Sequence, residues 1–544
     1  MIGEDSMAIH NSVVYHCSGQ RPIHLLNFTL RSPLVPIIFL MVSILSSFCY
    51  GQQTGTPAPG KKWVGTWSTA PQLVEPGNMP PSPGLTGNSL RQVVDVSIGG
   101  DTLRVKFSDE FSTSAVTMKS VRIAVSAGGS SIDTSTEKEL QFAGSPDVTM
   151  AAGEAVISDP IAFHLTPRMQ LAITIYYGQT SSTVTGHPGS RTTSYILAGD
   201  ESSSSSFAGA VTTDHWYNIN TIDVLAPSTA ACVAILGNSI TDGRGSTTNL
   251  QNRWPDILSE RLLQDSSTQE VGVLNMGIGG NCVLAGGLGP TGVSRFDRDI
   301  ISQSGVRWAI VFEGVNDIGG VHSATAASTV ASNLIAAYKQ MIVKAHAENI
   351  RIYGATITPF KGNGYYNHYS ESCREIVNEW IRTPGNLDAC IDFDRVMRNH
   401  QDTLSLVSTY QNDGLHPDTT GYKKMGGSID LSLFTGADTT ATGIKSMNMI
   451  QGYVLDQNYP NPFNPSTNIS FSIPSGSFVS LVIFDSIGRE VSTIVSEELP
   501  AGNYERRWNA TGMASGVYYY RLSARPLSGS PVTFNETKKL LFLK

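Results

Sequence analysis

The chain has 544 residues, enough for three or four folding units at ~150 residues each. An apolar share of 40% with a mean hydropathy of −0.07 can fill several cores but excludes a polytopic membrane protein. Against 45 acidic residues stand 37 basic ones, a net charge of −8 that lacks the surplus phosphate-backbone binding draws on, so nucleic acid is not expected as a partner.

Residues 34–45 are nearly all apolar, follow Arg31 and are too short to span a bilayer comfortably, which predicts a signal peptide. Cys49-Tyr50-Gly51 places small side chains third-last and last before a cut, so 1–51 reads as an N-terminal extension plus signal. The mature chain would begin at Gln52 and carry no transmembrane domain. A lipid anchor on Cys49 competes, but bulky Phe48 precedes it where such sites take a small residue. Cys232, Cys282, Cys373 and Cys390 remain after export, and an oxidising compartment would permit pairs among them. Cys373 with Cys390 is the expected pair, with four buried thiols as the alternative. No Cys-x-x-Cys or His-Glu-x-x-His occurs, so neither a metal nor a cofactor is expected.

Residues 52–62 form a linker. Within it Gly55 to Lys61 has phosphate-loop spacing, but Lys62 stands where Ser or Thr is required, and Pro57 and Pro59 offer no N–H. From 63 to 224 apolar residues alternate, as in Val94, Val96, Ile98, then Leu103, Val105, Phe107, and later Leu171, Ile173, Ile175, Tyr177, predicting an accessory β-sandwich. Gly99-Gly100-Asp101 between two of these runs predicts a hairpin, and the serines of 202–206 a flexible loop. Trp63, Trp67, Trp216 and Tyr217 could stack on sugars, with buried core the leading alternative. His187 and Arg191 read as an exposed loop, with the rim of a cleft as the alternative.

Over 225–436 the pattern changes. Continuous apolar runs at 231–236, 271–274, 306–312, 350–357 and 389–393 alternate with helical spacings such as Trp254, Ile257, Leu258, Leu262. This predicts a three-layer α/β domain with a flavodoxin-like parallel sheet. A linker, 437–450, leads to 451–544, where Val479, Leu481 and Ile483 alternate and Gly488, Gly502 and Gly516 punctuate a second, Ig-like β-sandwich. The predicted whole is a multidomain protein, the α/β domain flanked by two β-sandwiches. Gly287-Leu-Gly289-Pro-Thr-Gly292 fits a dinucleotide pattern but does not sit in a tight strand-to-helix turn, and no Gly-x-Ser-x-Gly elbow is present.

Ligands of an open parallel sheet bind at the carboxyl ends of its strands. Four blocks fall there: Gly237-Asn238-Ser239-Ile240-Thr241-Asp242-Gly243, Asn275-Met276-Gly277-Ile278-Gly279-Gly280-Asn281, Gly314-Val315-Asn316-Asp317 and Asp413-Gly414-Leu415-His416-Pro417. A serine attacks at neutral pH only when a base takes its proton, and an imidazole does so best when a carboxylate holds its other nitrogen. Ser239, His416 and Asp413 fill those roles. The N–H groups of Ser239 and Gly280 and the amide of Asn316 are candidates for the oxyanion hole. Taken singly, a helix N-cap at Ser239, a strand-end turn at Asn316-Asp317 and a surface loop at His416 would serve as well.

Over about 231–425 these blocks resemble the SGNH or GDSL-type hydrolases in identity, order and spacing. The resemblance implies Ser239 as nucleophile, Gly280 and Asn316 as oxyanion donors and Asp413 with His416 completing a triad. One position departs, since Asn238 stands where the family typically has Asp. Arg244-Gly245-Ser246-Thr247, Asn252-Arg253-Trp254-Pro255 and Arg295-Phe296-Asp297 resemble a secreted bacterial subgroup with an N-terminal β-sandwich; packing is their expected role, shaping of the cleft the alternative. The family spans acetyl esterases of plant polysaccharides, arylesterases, lysophospholipases and thioesterases. Together with export, this implies a serine esterase acting on short-chain or acetyl esters, first of all on acylated polysaccharide. Lipase, lysophospholipase or arylesterase activity, acyl transfer to a sugar hydroxyl, and a non-catalytic surface binding protein are the rivals. Substrate-binding residues are not assigned by sequence. The tail, with Asn458-Tyr459-Pro460-Asn461-Pro462-Phe463-Asn464-Pro465, Gly488-Arg489-Glu490, Ala514-Ser515-Gly516-Val517-Tyr518-Tyr519-Tyr520-Arg521 and Lys538-Lys539, resembles the C-terminal sorting domain of type IX secretion. It implies that machinery as a partner, and export through periplasm and outer membrane to the cell surface or medium.

Overall fold

Alternating side chains give a strand one buried face, and in the N-terminal stretch that rule produces two main antiparallel sheets. In the computed structural model, which describes residues 59–435 and 453–544 except 459, 475, 500–501 and 528–533, one sheet centres on Asn88–Asp95, Gln170–Tyr177 and Val116–Gly128. The other joins Lys61–Ser68, Ile219–Pro227, Gly100–Ser108 and Ala155–Ile157. Val94, Ile123, Leu171 and Ile173 of the first share one core with Leu103, Val105, Phe107 and Ile222 of the second. The expected signal segment, Cys17, Cys49 and most of the phosphate-loop-like stretch lie outside the described residues.

The hairpin expected at Gly99-Gly100-Asp101 does not form, because Asn88–Asp95 and Gly100–Ser108 belong to different sheets. The glycines serve close approach instead: a Cβ on Gly99 would lie 2.4 Å from the carbonyl oxygen of Leu165, and one on Gly100 2.5 Å from Val224. The serine run 202–206 is tied down, since buried Arg91 donates to the carbonyl of Ser204 at 2.6 Å. Sugar stacking by the aromatic set is also overturned. Trp67 and Trp216 pack edge to face at 5.0 Å, Trp216 and Tyr217 are buried, and the ring of Trp63 is covered by the Arg104 guanidinium at 4.5 Å.

Five parallel strands follow in the spatial order Val271–Gly277, Ala231–Gly237, Val306–Phe312, Arg351–Ala355, Ala389–Ile391. Chain order is thus 2-1-3-4-5, and the first two crossovers leave in opposite directions, so the switch point lies between Ala231–Gly237 and Val306–Phe312. Right-handed crossovers then put helices on both faces. Ala324–Ala347 packs with His368–Arg382, and Trp254–Gln264 with Thr419–Ser428. The β-rich and α/β stretches form one compact unit. Gly65 N–H donates to Ser304 at 2.8 Å, Val273 N–H to the Ser97 hydroxyl at 3.0 Å, and Arg104 to Asp223 and Ser304.

All four cysteines among the described residues are free, which corrects the expected Cys373–Cys390 pair. Cys373 is enclosed in the core on the inner side of His368–Arg382, whereas Cys390 is exposed at the last strand of the sheet. Beyond 436 a second unit has a three-stranded and a four-stranded antiparallel sheet. They share one core, in which Ile469, Phe471 and Trp508 face Val479, Leu481, Ile483 and Tyr520. Among the described residues no helix is long and apolar enough to cross a membrane.

Candidate active site

Strand Ala231–Gly237 ends at the switch point, and the chain turns at once into the short helix Ser239–Asp242. Asn238 is its N-cap: Oδ1 accepts from Ile240 N–H at 3.0 Å while Nδ2 donates to Glu313 at 2.8 Å. Its side chain is thereby fixed from both ends, and the next residue, Ser239, is held where its hydroxyl faces the loop carrying His416. Ser239 Oγ lies 2.9 Å from His416 Nε2, and His416 Nδ1 lies 2.8 Å from Asp413 Oδ2. Asp413 Oδ1 also accepts from the backbone N–H groups of His416 at 2.8 Å and Leu415 at 3.1 Å, so one carboxylate grips both the ring and the main chain of His416.

The electrostatics follow from this geometry. Burial, joined by the nearby charges of Arg244 and Arg191, lowers the proton affinity of His416 more than the adjacent Asp413 raises it, so the ring titrates below its ordinary 6.5. Burial would raise Asp413, but the N–H groups and ring of His416 outweigh it and hold the carboxyl below its usual value. Directly behind, Glu313 is enclosed, and burial pushes its carboxyl up to about 8 against the pull of Arg295.

The N–H groups of Ser239 and Gly280 donate to no partner among the described residues. Asn316, on the turn after Val306–Phe312, donates one amide hydrogen to the carbonyl of Asn281 at 2.7 Å, leaving the other for the cleft it lines. Its Oδ1 accepts from the Tyr365 hydroxyl at 3.1 Å, and Asp317 beside it accepts from Val283 and Leu284 N–H. The loop carrying Gly280 is thus clamped onto the turn carrying Asn316. Buried Arg295 reinforces this from below, donating to the carbonyls of Gly237 and Met276 and to Asn281. Arg253 and Trp254 likewise serve packing, Arg253 through Asp256 at 2.9 Å. Of the subgroup residues, Arg244 alone lines the cleft.

The cleft measures about 420 Å³ and takes one wall from the N-terminal sheets: Gln72, Glu75, Asn78, Arg191 and His215 face Ser239 and His416. His187, expected in an exposed loop, is buried and bonded to Asp242 at 2.8 Å, while Arg191 reaches the rim. Gly189 is required there, since a Cβ would meet Asp242 Oδ2 at 1.9 Å. Glu313, Tyr365 and the wall residues other than Arg191 had no motif to mark them, although Glu313 and Tyr365 fall in loops that leave the carboxyl ends of strands. Among the described residues no group of three or more His, Cys, Asp or Glu could hold a metal ion.

Residues 235–424 match the model of the GDSL-like Lipase/Acylhydrolase family, and residues 457–529 that of the Secretion system C-terminal sorting domain. Among solved structures, a GDSL-like lipase from Bacteroides thetaiotaomicron is 18% identical, with 36% of this chain and 84% of that one covered and a TM-score of 0.27. An acetylxylan esterase from Geobacillus stearothermophilus is 15% identical, covering 38% and 94%, TM-score 0.29. A carbohydrate esterase family 2 enzyme with a carbohydrate binding domain, from Myceliophthora fergusii, is 11% identical, covering 68% and 96%, TM-score 0.30. No curated protein matches the sequence.

Proposed function

We propose that this ester hydrolase, which matches the GDSL-like lipase/acylhydrolase model over residues 235–424 and carries a sorting domain for export, works as a serine esterase through Ser239, His416 and Asp413. The observation that carries the reading is the continuous chain of hydrogen bonds from Ser239 Oγ through both nitrogens of His416 to Asp413, opening on a cleft. Ser239 Oγ attacks the ester carbonyl carbon as its proton passes to His416 Nε2. The oxyanion meets Ser239 N–H, Gly280 N–H and the Asn316 amide. Collapse breaks the bond to the alcohol oxygen, which takes the proton from His416 and leaves an acyl-enzyme. Water, deprotonated by His416, then releases the acid and restores Ser239. The depressed pKa of His416 supports the base role, since the ring is neutral at neutral pH.

Short-chain or acetyl esters on polysaccharide are the proposed substrates. The sorting domain favours an extracellular target, and the polar wall of Gln72, Asn78, Arg191 and His215 suits a hydroxylated alcohol better than an alkyl chain. The tail's two sheets are proposed as the Ig-like sorting module read by the type IX machinery, and residues 63–224 and 225–436 as the accessory and catalytic parts of one unit. Hydrolysis of p-nitrophenyl esters from acetyl to palmitoyl, beside Ser239→Ala, tests the reading. Short-chain activity lost in the variant is expected. A long-chain optimum would favour a lipase, and a variant as active as the parent would remove Ser239 from the mechanism.

A further inference from the structure

We infer that Arg191 and Arg244 form a subsite for a carboxylate on the alcohol side of the ester, so that the preferred substrates are acyl esters of uronate-bearing saccharides; the inference rests on the ester-hydrolase reading of the same cleft. Both side chains line the cleft with Ser239 and His416, one brought from the β-rich stretch and one from the loop after the Ser239 turn. Arg244 is exposed, and its guanidinium has neither ion pair nor hydrogen bond among the described residues. Its backbone is fixed nonetheless: its N–H donates to Ser239 O at 2.9 Å and its carbonyl accepts from the Tyr422 hydroxyl at 2.7 Å.

Arg191 has a buried Nε without a partner, and its nearest carboxylate, Asp242, stands 3.8 Å from Nη2. At that separation no hydrogen bond forms, and His187 holds the other oxygen, Oδ1. His187 Nε2 lies 2.8 Å from Asp242, while Nδ1 lies 3.0 Å from the carbonyl of Ala70, an atom that only accepts. The other acid of the cleft, Glu75, accepts from Gln72 at 2.7 Å and Asn78 at 3.0 Å through its two oxygens. In a chain of net charge −8, two guanidinium groups with donors to spare thus converge beside the reacting serine. A guanidinium forks onto a carboxylate with two parallel bonds. Phosphate would also fit the fork. Pro188, Leu288, Leu415 and the ring of Tyr365 supply apolar lining on which a sugar face or an acyl chain could rest, so the arginines carry the choice of an acidic saccharide.

The test compares kcat/KM on acetylated galacturonate oligosaccharides and acetylated neutral xylooligosaccharides for the full chain, Arg191→Gln, Arg244→Gln and the double variant, at low and high salt. The acidic substrate should lead by about tenfold or more. Each substitution should take roughly tenfold from the acidic-to-neutral ratio, chiefly through KM, and salt should narrow it. Calorimetric binding of trigalacturonate to the Ser239→Ala protein, with and without the two arginine substitutions, needs no turnover. Binding lost with the arginines supports the subsite even if ester hydrolysis itself is not observed. Equal kcat/KM on the two saccharides, a ratio untouched in the double variant, trigalacturonate binding independent of both arginines, or a preference for lysophosphatidate overturns it.

Discussion

Replacing Glu313 with glutamine separates the charge of the acid behind Ser239 from its shape. Glu313 Oε2 accepts from Asn238 at 2.8 Å, and Oε1 lies 3.5 Å from Arg295, in a site closed to solvent. Burial raises its carboxyl from 4.5 to about 8, with Arg295 opposing and Asp317 assisting. The folded chain therefore keeps a proton that the unfolded chain releases across that window. Stability from this group is complete below the unfolded value and is lost as pH rises through the folded one. The full rise corresponds to roughly 5 kcal/mol, of which about 3 is already lost at neutral pH. Glutamine cannot ionise, and its carbonyl can still accept from Asn238. Urea unfolding of the full chain and of Glu313→Gln at about pH 5, 7 and 9 should show the variant gaining on the parent by roughly 2–3 kcal/mol between the first two and further at the third. A difference that stays constant with pH would refute the reasoning, and one that grows in the parent's favour would show an ionised Glu313 serving Arg295.

Asn238→Asp would restore the acid typical of the family yet set two buried carboxyl groups 2.8 Å apart, so stability and turnover should fall increasingly above neutral pH, with recovery in Asn238→Asp combined with Glu313→Gln; a single variant as robust as the parent at alkaline pH would contradict this. Asn316→Ala should lower kcat on a short-chain ester by about 10²–10³ with little change in KM, and a near-normal rate would remove its amide from the oxyanion hole. The acid limb of kcat/KM should have its midpoint below 6.5, because His416 must be neutral to accept the serine proton and burial depresses its affinity. A rate profile whose acid limb lies above that value would mean that Asp413 governs the ring more strongly than burial does.

What could be read from sequence was whatever is local. The run 306–312 is wholly apolar apart from Arg307, and the strand is Val306–Phe312. Asp413 and His416 are three residues apart, so their contact needs one turn of chain, and Ser239 follows a strand whose apolar run ends three residues earlier, at Leu236. The hairpin failed because glycine pairs serve turns and close approaches alike, and only the packed neighbours Leu165 and Val224 distinguish the two. His187 failed for a related reason. A Gly-His-Pro-Gly stretch has the composition of a loop, and its burial depends on a short sheet, Gln72–Leu73, Thr185–His187 and Trp216–Tyr217, gathered from three distant segments. Glu313 carried no signal because the meaning of a buried acid lies in its partners, the helix cap Asn238 and Arg295 of the short helix Gly292–Phe296, both distant in sequence.

The residues proposed for the chemistry and those of the opposite wall therefore have different origins. Ser239, Gly280, Asn316, Asp413 and His416 all leave the carboxyl ends of one parallel sheet, where strand order fixes them relative to each other. Gln72, Glu75, Asn78, Arg191 and His215 come from the β-rich stretch and touch the same cleft without belonging to that sheet. The wall can thus change its charge or reach without moving the serine, which is what a fold serving many esters requires. The joint between them is Asp242, on the Ser239 turn, held by His187 at 2.8 Å with both side chains almost wholly enclosed. Removing either partner leaves a buried polar group without its hydrogen bond, at about 1–3 kcal/mol. The wall is thus tied to the serine turn through this contact and, beside it, through Asn249, whose N–H donates to the Arg191 carbonyl at 2.9 Å, so the side chains proposed to meet the substrate can vary beyond a joint that stays fixed.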